Sequence, residues 1–345
     1  MASPSPVDPR HGSAGNDFPL GDVLTERGER LPHAFLRYRI YGDPALGRRQ
    51  GWTLVFHDLA GGADVDRWWG VLLARGAPLD PARRPLLAAN LLGSSFGSTG
   101  PSRWSGAGHR PFPALSPRDL AAAHHPLLAH LGIDRVALAV GPSLGGMVAL
   151  EWARTTLAIV DRLVVIAAPA VTSPQVIAWH AAQRMAIEAD PAWQDGRYAP
   201  GRGPVAGLAA ARALASVTAR SGPELAARFG RASTLEPDRF DVEAALRRDA
   251  ETGGPPDAAS YVSLLRTSDL HDLGDLAAAG RETAARVGRV TGVGINTDML
   301  HPPAEVRRWA EAYRAAGCRA DYRELLSIHG HEAYRAEPEL LGAVL

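Results

Sequence analysis

One hydroxyl in the sequence stands in a setting that suggests covalent chemistry. In "VALAVGPSLGGMVALEWA" (136–153) an apolar run leads into Gly141, Ser143 and Gly145, spaced as Gly-x-Ser-x-Gly, and a small-residue helix follows. Glycines on both sides suit a serine on a sharp, strained strand-to-helix turn, where no side chain fits beside it. Such a turn would expose the Ser143 hydroxyl at the carboxyl edge of a sheet. A serine is a weak nucleophile, so it needs a base, and the base needs an orienting acid. After a serine on this kind of turn, acid and base follow in that order. Asp298, in "GINTDML" just past a late strand, is the acid candidate; its other reading is a turn former. Asp269, Asp272 and Asp275 come before that strand and rank lower. Beyond the last strand, "SIHGHEAY" offers two bases. His331 is favoured because it follows the flexible Gly330 and precedes a helix-like closing segment, and His329 reads as a strand-end histidine.

An attacked carbonyl oxygen gathers negative charge, which two backbone N–H groups would stabilise. The residue after the serine, Leu144, supplies one. The other belongs to "FHDLAGG", where Gly61 and Gly62 let the backbone approach a substrate. Leu59 is the choice there and Ala60 the runner-up, while His57 reads as a brace for the loop.

Composition narrows the alternatives. All 37 basic residues are arginine and none is lysine, which removes lysine Schiff-base chemistry and the phosphate-loop lysine together. Acidic residues also number 37, so no net field draws the chain to nucleic acid or to an anionic membrane. No apolar run approaches the ~18 residues of a membrane span. The lone Cys318 offers neither a disulfide nor a metal-ligand spacing, which points to a cytoplasmic protein without a metal site.

These residues need a scaffold, and the pattern supplies one. "HAFLRYRIYG", "GWTLVFHDLA", "RRPLLAANLLG", "DRVALAV" and "LAIVDRLVVIAAPA" read as strands between helical segments. Between about 171 and 282 the strand rhythm stops and helix-like stretches take over; it resumes at "VGRVTGVGINTD" and "CRADYRELLSIHG". The expected fold is α/β, a doubly wound and mostly parallel sheet, with the core in two parts (31–170 and 283–345) and a helical lid inserted over 171–282. The first 30 residues, rich in Pro, Ser, Gly and Asp, read as a flexible arm.

Several segments together resemble one family. "FHDLAGGADVDRWW", "NLLGSSFGSTGPS", "GPSLGGMVALEWA", "AAQRMAIEADPAWQDGRY", "GPVAGLAAAR", "DAASYVSLLRTSDLHDLG", "NTDMLHPP" and "GHEAY" are similar to segments of the homoserine O-acetyltransferases, enzymes of the α/β-hydrolase fold. The likeness runs from about Leu54 to Leu340 and includes the lid. It implies that Ser143 is acylated from acetyl-CoA or a related acyl-CoA, that CoA leaves, and that an amino-acid hydroxyl takes the acyl group. Asp298 and His331 fall where the family places its other triad members. No permanently bound cofactor is implied, and the family usually dimerises through lid helices.

Two departures bear on the acceptor. The family holds its amino-acid acceptor with a lid arginine, a tyrosine one helical stretch later and the acid after the catalytic histidine. Arg212 matches the arginine and has the fork to grip a carboxylate, although a plain surface role is its alternative. The tyrosine position holds Ala219, and Glu332 stands where aspartate is usual. The expected activity is therefore acyl transfer to homoserine, serine or a related hydroxy compound. The alternative is an esterase of the same fold in which water replaces the acceptor.

Overall fold

The computed structural model describes residues 15–104, 112–199, 201–234, 238–252 and 256–345. Its frame is an eight-stranded sheet in the order β1-β2-β4-β3-β5-β6-β7-β8. The strands are β1 (Asn16–Leu24), β2 (Arg30–Tyr41), β3 (Trp52–Val55), β4 (Leu86–Ala89), β5 (Arg135–Pro142), β6 (Ile159–Ile166), β7 (Val287–Ile295) and β8 (Ala320–Leu325). β1 and β2 run antiparallel to their neighbours, and the pairs from β4 through β8 are parallel.

The inner strands are apolar nearly throughout, as in a sheet covered on both faces. Alternate residues serve opposite layers. Ala139 of β5 with Leu163 and Val165 of β6 pack towards the helices Pro117–His130, Leu144–Thr155 and Pro303–Ala315. Val140, Val164 and Ile166 pack towards Trp69, Leu73, Tyr334 and Leu341 on the other side. Trp309 anchors the first layer: it is wholly buried, its indole N–H donates to the Ala168 carbonyl at 3.0 Å, and its ring lies 3.0 Å from where a Cβ on Gly292 would stand, a tight fit for any side chain.

Residues 16–24 correct the expected arm. They form β1, in which Phe18, Leu20 and Val23 pack on the core between exposed neighbours. Register shifts at Pro19/Gly21 and Gly21/Val23 accommodate the Pro and Gly that obscured the strand in the sequence. The following turn is tied down as well, because the Glu26 N–H donates to Asp119 Oδ1 at 2.7 Å and the Glu26 carboxylate meets Arg118 at 3.0 Å. Residues 1–14 of the expected arm lie outside the described residues.

The lid is an insertion between β6 and β7, and its helices include Pro174–Glu188, Val205–Ala219, Gly222–Phe229, Asp241–Thr252 and Ala258–Asp269. Its neck is narrow. Val171 and Asp272 form a lone antiparallel bridge, flanked by Thr172 N–H to His271 O (3.0 Å) and Leu273 N–H to Ala170 O (2.9 Å). The expected end at residue 282 therefore moves back to about 272. The helix Leu276–Ala284 belongs to the core: Gly280 lies against Tyr313 and Ala316, and Glu282 pairs with Arg154 at 2.7 Å. Within the lid, Ile187, Leu208, Ala211, Tyr261, Val262 and Leu265 form a small core of their own. Among the described residues no helix is long and apolar enough to cross a membrane. Cys318 is buried and its thiol is pushed up to about 11 by that burial, which makes it inert at neutral pH.

Trp309→Ala removes the largest wedge of one layer and the partner of a buried carbonyl. We expect it to lower unfolding stability by about 3–5 kcal/mol, read as a lower urea midpoint with an unchanged slope.

Candidate active site

Ser143 directly follows β5 with φ 52° and ψ −126°, a left-handed conformation that is strained for a residue with a side chain. Its N–H donates to the Ile166 carbonyl of β6 at 2.8 Å. The neighbouring glycines are required sterically. A Cβ on Gly141 would overlap the Gly145 carbonyl, one on Gly145 would overlap the Phe56 carbonyl, and one on Gly146 would stand 2.7 Å from Ala168 Cβ.

The three candidate side chains meet. Ser143 Oγ lies 2.8 Å from His331 Nε2, and His331 Nδ1 lies 2.7 Å from Asp298 Oδ2. All three residues are buried. Asp298 follows β7 in a tight turn, where its Oδ1 accepts the N–H groups of Leu300 (2.8 Å) and His301 (2.9 Å), leaving Oδ2 aimed at the histidine. Burial works to lower the His331 imidazole, but the Asp298 carboxylate overrides it and the net pKa lies above the ordinary histidine value. Such an array can take a proton from Ser143 and return it to a leaving group. His329 stands apart, 3.6 Å from Glu224.

Leu59 and Leu144 line the same cavity as Ser143. Their N–H groups have no hydrogen-bond partner among the described residues, whereas the Ala60 and Gly61 N–H groups both donate to Asp58 Oδ1, at 3.1 and 2.6 Å. That occupation favours Leu59 over Ala60 as the second donor. His57 braces the loop as expected: Nδ1 contacts the Asp58 carbonyl at 2.7 Å, and Nε2 accepts the Leu91 N–H at 2.9 Å. Burial brings this imidazole down to about 4, so it is neutral.

The cavity holds about 580 Å³ between sheet edge and lid, and Arg212, Ala219 and Glu332 all lie on its wall. Arg212 reaches the Ala250 and Glu251 carbonyls at 3.3 and 3.4 Å. The Glu332 carboxylate accepts no hydrogen bond among the described residues, and burial raises its pKa.

Two sets of residues went unread in the sequence. Asp58 is clamped by Arg335 (Nε to Oδ2, 2.8 Å) and by the Tyr334 hydroxyl (2.6 Å), which joins the Leu59 loop to the segment carrying His331. Burial works to raise the Asp58 carboxyl, yet Arg335 and Tyr334 hold it down at about 2. On the lid, Arg220 pairs with Asp249 at 2.5 Å and approaches Glu224 at 3.5 Å, and all three line the cavity. Their contacts join separate helices, and no local spacing announces them. The aspartate straight after His57 and the arginine four residues past His331 were the only local signals for Asp58 and Arg335.

A family model described as the alpha/beta hydrolase fold matches residues 54–312. A homoserine O-acetyltransferase of Moorella thermoacetica is 35% identical to this chain, covering 93% of it and 91% of the relative. A serine O-succinyltransferase of Litchfieldella anticariensis is 36% identical, covering 92% and 93%. The chain belongs to the homoserine O-acetyltransferase family. Its α/β-hydrolase frame is also shared with an acetylester hydrolase from Corynebacterium glutamicum, at a TM-score of 0.80 and 21% identity over 96% of this chain and 94% of that one, a likeness of fold alone. Ala219 and Glu332, the two positions singled out in the sequence, both stand on the cavity wall.

The raised His331 pKa sets a pH dependence. Only neutral imidazole can take the Ser143 proton, so Ser143 labelling by a fluorophosphonate should slow as pH falls through a midpoint above the ordinary value of 6.5. In Asp298→Asn burial loses its main opponent, and only the lesser pull of the Glu332 and Asp58 charges still works against it. The midpoint should then fall, and the labelling rate at its plateau should fall by about 10³–10⁴-fold. An unmoved midpoint would mean that Asp298 does not govern the base.

Proposed function

We propose that this protein is an acyl-CoA-dependent O-acyltransferase that moves an acetyl or similar short acyl group to the hydroxyl of an amino acid such as L-homoserine or L-serine, or of a related intermediate. The observation that carries the proposal is the hydrogen-bonded chain Ser143–His331–Asp298, opening beside two unoccupied N–H groups onto a cavity lined by Arg212. The names of the relatives at 34–38% identity support acyl transfer.

In the first half-reaction His331 Nε2 takes the Ser143 proton as Oγ attacks the thioester carbonyl. The Leu59 and Leu144 N–H groups receive the developing oxyanion. The C–S bond breaks, CoA leaves with the proton from His331, and Ser143 carries the acyl ester. In the second, the acceptor hydroxyl gives its proton to His331 and attacks that ester. The C–O bond to Ser143 breaks, and the proton returns to Oγ. Asp298 holds the imidazole tautomer and steadies its charged form. Acetyl-CoA is thus a substrate rather than a resident cofactor.

Arg212 would bind the acceptor carboxylate. With Ala219 lacking a phenol and Glu332 reaching further than an aspartate, the pocket near the amino group differs from the family pattern, and for that reason the acceptor is left wider than homoserine. The same loss of a contact supports a second reading, a serine esterase in which water deacylates Ser143. The exposed Met185, Val205, Leu214 and Val217 on lid helices support a homodimer formed through the lid.

CoA thiol release from acetyl-CoA, measured with and without L-homoserine, L-serine and other hydroxy compounds, tests the reading. Release should depend on one acceptor; an equal rate in water alone would make the protein a hydrolase. Ser143→Ala should abolish release with the fold intact. Arg212→Ala should raise the acceptor KM about 10–100-fold through loss of a charge-assisted pair, with kcat less affected, and an unchanged KM would remove Arg212 from the site. Light scattering after gel filtration should give twice the chain mass, and Val217→Glu should shift it towards the monomer.

A further inference from the structure

The cavity holds a second imidazole that none of these steps uses. His301 is 2% exposed, and its ring meets that of His331 edge to face with centroids 5.2 Å apart. Its own N–H is held by Asp298 Oδ1 at 2.9 Å, so the turn that fixes the acid also fixes His301. Nδ1 is sealed from solvent without a hydrogen-bond partner, which leaves Nε2 as the ring nitrogen to meet the cavity that His301 lines with Ser143 and Leu144. A sealed bare nitrogen is less costly than a sealed, unpaired N–H, so the proton belongs on Nε2. Burial, followed by the charge His331 acquires, keeps the ring neutral. The result is one fixed N–H donor beside the base.

We propose that His301 Nε2–H holds the acceptor hydroxyl for deacylation, donating to a lone pair of that oxygen while the hydroxyl proton points at His331 Nε2. His301 keeps its proton throughout. The acceptor proton goes to His331, the acceptor oxygen bonds to the acyl carbon as the bond to Ser143 Oγ breaks, and His331 returns the proton to Oγ. The role is a binding and positioning one, and it selects a tethered hydroxyl over a transient water. This inference rests on the transferase reading.

The test is the ratio of ester formed to CoA released, with acetyl-CoA and whichever of L-homoserine and L-serine the wild type uses. His301→Phe keeps a ring against His331 and loses the donor; its ratio should fall about tenfold, the order of one hydrogen bond, with a raised acceptor KM. His301→Gln keeps an N–H and loses the ring; its ratio should stay near the wild type. Fluorophosphonate labelling of Ser143 reports whether the triad is intact in each. Should the Phe variant fail to label, the Gln variant carries the test, and a ratio fallen to that of water-only turnover would overturn the proposal. A Phe variant with the wild-type ratio would overturn it as well, because His301 would then serve by packing alone. A wild type that releases CoA and forms no ester would instead remove the transferase reading itself.

Discussion

The backbone of Ser143 is the constraint on which the site depends. A serine at φ 52° stores strain of the order of 1–3 kcal/mol, and it persists only because its surroundings leave no alternative. β6 holds its N–H, and glycines on three sides let the carbonyls of Phe56 and Gly145 come within a distance no Cβ tolerates. The sheet supplies this setting. β3 and β5 are parallel neighbours ending at the same edge, so the Leu59 loop and the helix after Ser143 leave from adjacent points. One turn therefore brings together the Ser143 hydroxyl, the free Leu144 N–H and the loop bearing the free Leu59 N–H.

The lid and the His331 segment are also a single construction. Gly330 has φ 60°, and its Cα side faces the Ala219 carbonyl, where a Cβ would stand 2.6 Å away. The Ser221 hydroxyl donates to the Ile328 carbonyl, and Glu224 lies beside His329. From the opposite side, Arg335 and Tyr334 fasten the same segment to Asp58. His331 is thus gripped from both the lid and the Leu59 loop. These long-range contacts locate it more than the short helical turn that bears it.

Much of this was legible in the sequence where function is encoded locally. The serine turn announced itself through its glycines, and Asp298 and His331 followed from chain order after the last two strands. Leu144 follows from its place after the serine, and Leu59 was picked from a glycine-rich loop. β1 was illegible because Pro19 and Gly21 break the alternation of Phe18, Leu20 and Val23, and an edge strand buries only one face. The lid boundary failed for a different reason: Leu276–Ala284 is helical like the lid, and only its packing on Tyr313 assigns it to the core. The Asp58–Arg335 clamp joins residues far apart in sequence, and nothing in either neighbourhood points to the other.

Every side-chain ammonium is missing from this chain, and guanidinium groups supply its permanently charged clamps, among them Arg335 on Asp58, Arg154 on Glu151 and Glu282, and Arg184 on Asp269. Guanidinium keeps its charge far above neutral pH, so these clamps do not loosen as the medium turns alkaline. It is also a poor nucleophile, whereas lysine amines are common sites of acylation. Under the proposed function, in which the protein handles activated acyl groups, its own ion pairs are thereby spared stray modification, and the Ser143 hydroxyl faces no side-chain amine as a rival for the acyl carbon.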